Sequence, residues 1–75
     1  MDNSIKEIAA DILKINIEDL DKSYKYVEKY DLHFFWQPKI GGLQMIISNS
    51  KEKLVVSSSI SFNTLLAEFV AGKRN

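Results

Sequence analysis

The chain has 75 residues, which is enough for one hydrophobic core, so we expect a single small domain spanning residues 1–75. Ten basic and ten acidic side chains cancel, and no bulk charge therefore attracts the whole molecule to nucleic acid, anionic lipid or an acidic substrate. The absence of cysteine excludes disulfides, thiolate catalysis and cysteine-ligated zinc. Because the opening segment alternates apolar and charged residues, it does not resemble a signal peptide, and we expect an intracellular, cytoplasmic protein.

The first predicted element is an amphipathic helix from Ile5 to Lys14. Its apolar residues recur at helical spacing, namely Ile5, Ile8, Ala9, Ile12 and Leu13. Ser4 precedes this stripe and Glu7 follows three residues later, which is the pattern of a capping box. The pattern predicts a helix that packs one face against the rest of the core.

The segment from Asn16 to Tyr30 supports two predictions. A narrow helical stripe favours a second helix, and its members are Ile17, Leu20, Tyr24 and Val27. The alternation of Tyr24-Lys25-Tyr26-Val27 is instead typical of a strand. We favour the helix and keep the strand as the alternative.

Three runs rich in β-branched and aromatic residues follow, and they predict a three-stranded antiparallel meander. The runs are Leu32–Gln37, Leu43–Ser48 and Lys53–Ser58. A four-residue turn between the last two would place Ile46 opposite Val55, on one face of the sheet. The register of the first hairpin stays open, because its two glycines can hold a bulge, so either Phe34 or Phe35 shares a face with Ile46.

The final predicted helix has the clearest boundaries. Ser61 is a typical N-cap residue, and Gly72 stands where a glycine often ends a helix. The apolar stripe between them consists of Phe62, Leu65, Leu66, Phe69 and Val70. The whole pattern predicts an α+β fold in which one or two N-terminal helices and a C-terminal helix cover the more apolar face of the sheet. The predicted core contains Ile5, Ile8, Ile12, Leu13, Leu43, Met45, Ile47, Leu54, Val56, Leu65, Leu66 and Phe69.

No pattern in the sequence indicates catalysis, a metal or a cofactor. His33 is the single histidine, whereas a zinc site needs three or four convergent ligands. The Asp19-x-Asp21-x-Ser23 spacing begins like a calcium loop, but Tyr24 stands where that loop requires glycine. We therefore expect a non-enzymatic protein, and we rank a small enzyme or ligand-binding domain third among the possible functions.

The first functional hypothesis is self-association. If the helices cover one face of the sheet, the other face should be polar, yet it would carry an apolar patch. The candidate interaction surface on that face consists of His33, Phe35, Ile46 and Val55. Because a two-fold axis is the commonest way to cover such a patch, the sequence predicts a homodimer or another protein partner. The alternative is that the segment Ile17–Val27 covers the patch, which would make the fold three-layered and the protein monomeric.

The alternative hypothesis is that the protein binds single-stranded nucleic acid. Aromatic side chains that stack on bases interleave with lysines that contact phosphates between residues 22 and 39. The candidate residues are Lys22, Lys25, Tyr26, Lys29, Trp36 and Lys39. The balanced net charge counts against this hypothesis, since nucleic-acid-binding domains usually have a basic excess.

Overall fold

The computed structural model of the protein describes residues 2–75, and it contains two α-helices and one antiparallel sheet of four strands. The helices are α1 (Asn3–Leu13) and α2 (Phe62–Val70), and the strands are β1 (Tyr24–Val27), β2 (Leu32–Trp36), β3 (Leu43–Ser48) and β4 (Lys53–Ser57). The strands lie in the order β1-β2-β3-β4, so each joins its neighbour as a hairpin. The predicted α+β class is confirmed, with one strand more than expected.

The extra strand comes from the ambiguous segment. A 3₁₀ helix, Ile17–Ser23, buries Leu20 and is followed at once by β1, so the predicted second α-helix is wrong and the alternative strand is confirmed. β1 pairs with β2, the most aromatic strand, and places Tyr24 opposite Phe35. Cross-strand aromatic pairs stabilise such a ladder, which outweighs a narrow helical stripe.

The two helix starts differ in how well their sequence signals predict them. α1 begins earlier than the predicted capping box, because the Asp2 carboxylate is the N-cap and accepts a hydrogen bond from the Ser4 backbone N–H at 3.0 Å. The hydrogen bonds from Ser4 lower the pKa of the Asp2 carboxyl below its usual value. α2 begins as predicted, with the Ser61 hydroxyl accepting from the Thr64 backbone N–H at 3.2 Å.

α2 also ends as its sequence predicts. Gly72 adopts a left-handed backbone with φ of 106°, and its N–H donates to the Phe69 carbonyl at 3.0 Å. The Lys73 N–H donates to the Glu68 carbonyl at 3.0 Å. These two bonds form a Schellman motif, which satisfies carbonyls that the helix end leaves free.

The sheet lies between the two helices, so the fold has three layers and the prediction that the helices share one face is wrong. α1 and the 3₁₀ helix cover one side, the α1 face, in a cluster of Ile5, Ala9, Leu13, Leu20, Phe35, Met45 and Ile47. α2 covers the other side, the α2 face, in a cluster of Leu32, Ile46, Leu54, Leu65 and Phe69. Both faces need a cover because consecutive apolar residues such as Phe34 and Phe35 point to opposite sides of a strand. Among residues 2–75, no helix combines the length and the apolar composition that crossing a membrane requires.

The turn between β3 and β4 corrects the predicted register by one residue. Ser48 pairs with Glu52, since the Ser48 N–H donates to the Glu52 carbonyl at 2.9 Å, and the turn therefore contains three residues rather than four. Lys51 closes the turn in a left-handed conformation, with φ of 71°, as three-residue hairpin loops require. Ile46 consequently faces Leu54, and Met45 faces Val55. In the first hairpin, Phe34 rather than Phe35 shares a face with Ile46.

Candidate ligand-binding cleft

A cleft of about 700 Å³ opens at the end of the sheet where β2 stops. Three segments line it: residues 13–16 at the end of α1, residues 36–39 at and after the end of β2, and three residues of the 3₁₀ helix, Asp19, Lys22 and Ser23. These segments are distant in sequence, so the cleft exists only in the folded molecule. Its volume falls within the range of small-molecule sites.

The side chain of Gln37 fixes the geometry of this cleft. Its amide nitrogen Nε2 donates to the Leu13 carbonyl at 2.8 Å, and its oxygen Oε1 accepts from the Leu43 N–H at 2.7 Å. The amide therefore joins the end of α1 to the β2–β3 hairpin. Gly42 leaves room for it, because a Cβ there would lie 2.8 Å from both Gln37 Cβ and Oε1. Both walls of the cleft are thus held in place before any ligand binds.

The cleft is locally basic although the chain as a whole is neutral. Three lysines line it, Lys14, Lys22 and Lys39, against one carboxylate, Asp19, which gives a net charge of +2. Lys22 Nζ lies 3.5 Å from Asp19 Oδ1 in an exposed pair, and such pairs contribute little to stability. Within residues 2–75, Lys14 and Lys39 form no ion pair at 4.0 Å or less. Both ammonium groups are therefore available to an anion.

Trp36, the last residue of β2, lines the cleft, and its side chain lies beside Phe34 on the α2 face of the strand. The indole is half-buried, and its ring centroid lies 5.2 Å from that of Phe34. Asn16 also lines the cleft, and its side chain makes no hydrogen bond within residues 2–75. Cations, a flat ring and an uncommitted amide together suit an anionic ligand that also carries a ring.

The structure divides the six predicted nucleic-acid residues into two groups. Lys22, Trp36 and Lys39 come together in the cleft. Lys25, Tyr26 and Lys29 lie outside it, on or just after β1. The sequence interpretation missed Lys14 and Asn16, because the helical periodicity that identified α1 says nothing about which loop its end approaches.

The predicted interaction surface does not form one exposed patch. Phe35 and Ile46 are fully buried, and they lie on opposite faces of the sheet, Phe35 under α1 and Ile46 under α2. His33 is only 4% exposed, and Val55 is half-buried against the α1 cluster. The one-residue change of register and the second covered face both remove the patch.

His33 belongs instead to a hydrogen-bonded group, the His33 network. Its ring nitrogens lie 2.8 Å from the Tyr24 hydroxyl and 2.8 Å from Asn49 Oδ1. The Asn49 amide nitrogen donates to Asp31 at 2.8 Å, and the Tyr26 hydroxyl donates to the same carboxylate. Since Asp31 can only accept, the Asn49 oxygen faces the ring, so Nε2 carries a hydrogen and Nδ1 is the ring nitrogen that bonds to the Tyr24 hydroxyl. Each member of the network therefore has a hydrogen-bond partner within the protein.

The environment of the two tyrosines in the His33 network favours their neutral forms. Burial raises the pKa of Tyr24, and the carboxylates of Asp21 and Asp31 raise it further. The hydrogen bond to Asp31 raises the pKa of Tyr26. Both hydroxyls therefore keep the protons that they donate within the network.

Comparisons of the chain with known protein families, with curated proteins and with solved structures found no match. Within residues 2–75, no three histidine, aspartate or glutamate side chains come together as a metal-binding group.

Proposed function

We propose that the protein is a binding module for single-stranded nucleic acid, which it holds in the cleft. The observation that carries this proposal is the convergence of Lys14, Lys22 and Lys39 on the same cleft as Trp36. Lysines beside an aromatic ring can hold the phosphates of a single strand while a base stacks on the ring.

The local charge removes the main objection to this function. The balanced composition describes the whole chain, whereas a strand in the cleft would meet a net charge of +2. Three lysine–phosphate contacts predict that the logarithm of the binding constant falls with the logarithm of salt concentration with a slope of about −2. A slope of about −2 means that affinity falls about 16-fold between 50 and 200 mM salt.

The structure gives no support to self-association through a face of the sheet, because helices cover both faces. Self-association remains a prediction, and an interface would have to use another surface. Sedimentation of the free protein tests it directly, since a dimer would have twice the 8.6 kDa mass of the chain.

The experiment is a fluorescence titration of Trp36, the single tryptophan, with a mixed-sequence single-stranded octamer at low salt. We expect the emission to change on binding, and the Lys14→Ala, Lys39→Ala double variant to bind about tenfold or more weakly. The matched control is Lys51→Asn, which removes an exposed lysine in the β3–β4 turn, at the opposite end of the sheet, and keeps a residue that tolerates the left-handed backbone.

Three results would overturn the proposal. The first is the absence of binding at low salt and tens of micromolar protein. The second is equal affinity for inorganic tripolyphosphate, an anion without a ring, because the cleft would then be a general anion site in which Trp36 has no part. A Lys51→Asn loss as large as that of the double variant would likewise place the binding outside the cleft.

A further inference from the structure

We infer that the nucleic-acid site extends beyond the cleft along a row of three aromatic rings and ends at Lys25. This inference rests on the proposed function and adds the path of the bound strand. The aromatic row consists of Trp36, Phe34 and Phe62. It runs along the α2 face, from the cleft toward β1.

The rings follow one another without a gap. The centroids of Trp36 and Phe34 are 5.2 Å apart, and those of Phe34 and Phe62 are 4.7 Å apart. Lys25 Nζ lies 5.2 Å from the centroid of Phe62, where it closes the row with a positive charge. The path from the cleft over the three rings to Lys25 offers both kinds of contact that a single strand needs. Cations at its two ends can hold phosphates, and the rings between them can stack on bases.

Three separate elements create this alignment. Phe34 and Trp36 are two residues apart on β2, so their side chains share a face of the strand. β1 places Lys25 opposite Phe34, and Phe62 is the first residue of α2, held by the Ser61 cap. Trp36 belongs to both the cleft and the row, whereas Phe34, Phe62 and Lys25 do not line the cleft.

The exposure of these side chains leaves them accessible. All three rings are half-buried, and Phe34 and Phe62 pack against the core cluster of the α2 face, so a part of each ring stays exposed to solvent. Lys25 is exposed and makes no ion pair at 4.0 Å or less within residues 2–75. A phosphate can therefore displace water from Lys25 without first breaking a salt bridge.

Lys29, two residues after the end of β1, provides a matched control. Its Nζ lies 5.4 Å from the centroid of Tyr30, so it is also an exposed lysine above an aromatic ring. Lys29 and Tyr30 belong to a 3₁₀ turn, Glu28–Tyr30, and neither belongs to the row. The two lysines thus differ in position and not in chemistry.

The test compares the affinities of a thymidine dinucleotide, which the cleft can accommodate alone, and a thymidine hexanucleotide, which can reach Lys25. We expect Lys25→Ala to weaken hexanucleotide binding several-fold and to make the salt slope shallower by about 0.7, while dinucleotide affinity stays unchanged. Phe62→Leu keeps an apolar residue at the start of α2 but removes the ring, and it should also weaken only the hexanucleotide. Lys29→Ala should leave both affinities as they are. Circular dichroism melts verify that each variant is folded.

The outcomes separate this inference from the proposed function. If Lys25→Ala and Phe62→Leu bind both oligonucleotides like the wild type, the strand does not follow the row, and the cleft remains the whole site. If Lys29→Ala weakens the hexanucleotide as much as Lys25→Ala does, the strand does not end at Lys25 and the inference is wrong. If neither oligonucleotide binds the wild type at low salt, the proposed function itself fails.

Discussion

The two ends of the sheet use similar polar side chains in opposite ways. At the end that contains the β1–β2 and β3–β4 turns, the His33 network links Tyr24, Tyr26, Asp31, His33 and Asn49 to one another. At the cleft end, the side chains of Lys14, Lys39 and Asn16 have no partner within residues 2–75.

This difference distinguishes polar side chains that stabilise the fold from polar side chains that are available to a ligand. Buried polar groups are costly unless they are hydrogen-bonded, and a network that satisfies all its members fixes the strands that it joins. Polar groups that converge without bonding to one another contribute little to folding. His33, the single histidine, therefore has a structural role, although histidine is a common catalytic and metal-binding residue. The candidate site is formed instead by lysines.

The first prediction has the largest expected effect, and it tests whether the two ends of the sheet unfold as one cooperative unit. Phe69 is 4% exposed and packs with Leu65 against the middle of the sheet, so Phe69→Ala should cost about 3–5 kcal/mol of unfolding free energy. Urea unfolding should show the same loss by Trp36 fluorescence, which reports the cleft end, and by the His33 ring resonances, which report the other. Different midpoints from the two probes would show that the ends unfold separately.

Local sequence signals predicted the parts of the fold that depend on a few neighbouring residues. The Ser61 cap, the Gly72 stop and the alternation of β3 and β4 each specify their element directly. The turn at Lys51 could not be predicted in the same way, because a left-handed lysine carries no glycine or asparagine signal. That one residue changed the β3–β4 register and moved Ile46 and Val55 to opposite faces.

The cleft depends on tertiary contacts, and the sequence therefore predicted only part of it. Trp36 and Lys39 flank one loop and were predicted together. Lys14 reaches them only because Gln37 ties the end of α1 to the β2–β3 hairpin, a contact between residues 24 positions apart. A three-layered fold was the alternative prediction, but its second cover was assigned to Ile17–Val27 and not to α2, since the pattern does not specify which side of the sheet a C-terminal helix will reach.

The second prediction compares one polar side chain from each end. His33→Phe keeps a ring that can pack beside Tyr24 but removes both hydrogen bonds of the imidazole, and we expect a loss of about 1–3 kcal/mol of unfolding free energy. The matched change at the cleft end, Asn16→Ala, should alter stability by no more than about 0.5 kcal/mol. Urea unfolding measures both. Equal losses would remove the distinction between the ends.

The third prediction tests how the charge of the cleft affects its affinity for single-stranded DNA. Asp19→Asn removes the one carboxylate that lines it and frees Lys22, so the affinity for single-stranded DNA should rise several-fold and the salt slope should steepen. Stability should change by less than about 1 kcal/mol, because the ion pair is exposed. The control is Glu18→Gln, which removes a neighbouring carboxylate that does not line the cleft. An equal gain in this control would mean that net charge, and not the cleft, sets the affinity.

The smallest expected effect concerns alkaline pH and the His33 network. The hydrogen bond to Asp31 raises the pKa of Tyr26 above its value of about 10 in the unfolded chain. The folded protein therefore holds this proton to higher pH than the unfolded chain does, so the stabilisation is complete below pH 10 and is lost as the pH rises through the raised pKa. Tyr26→Phe should make the decline of the urea midpoint between about pH 9 and 11 shallower than in the wild type. Tyr30→Phe is the matched control, since the Tyr30 hydroxyl makes no hydrogen bond to another side chain within residues 2–75, and it should leave the decline unchanged. If Tyr26→Phe follows the wild-type curve, the bond to Asp31 does not persist in solution, and the network at this end of the sheet is less complete than its geometry indicates.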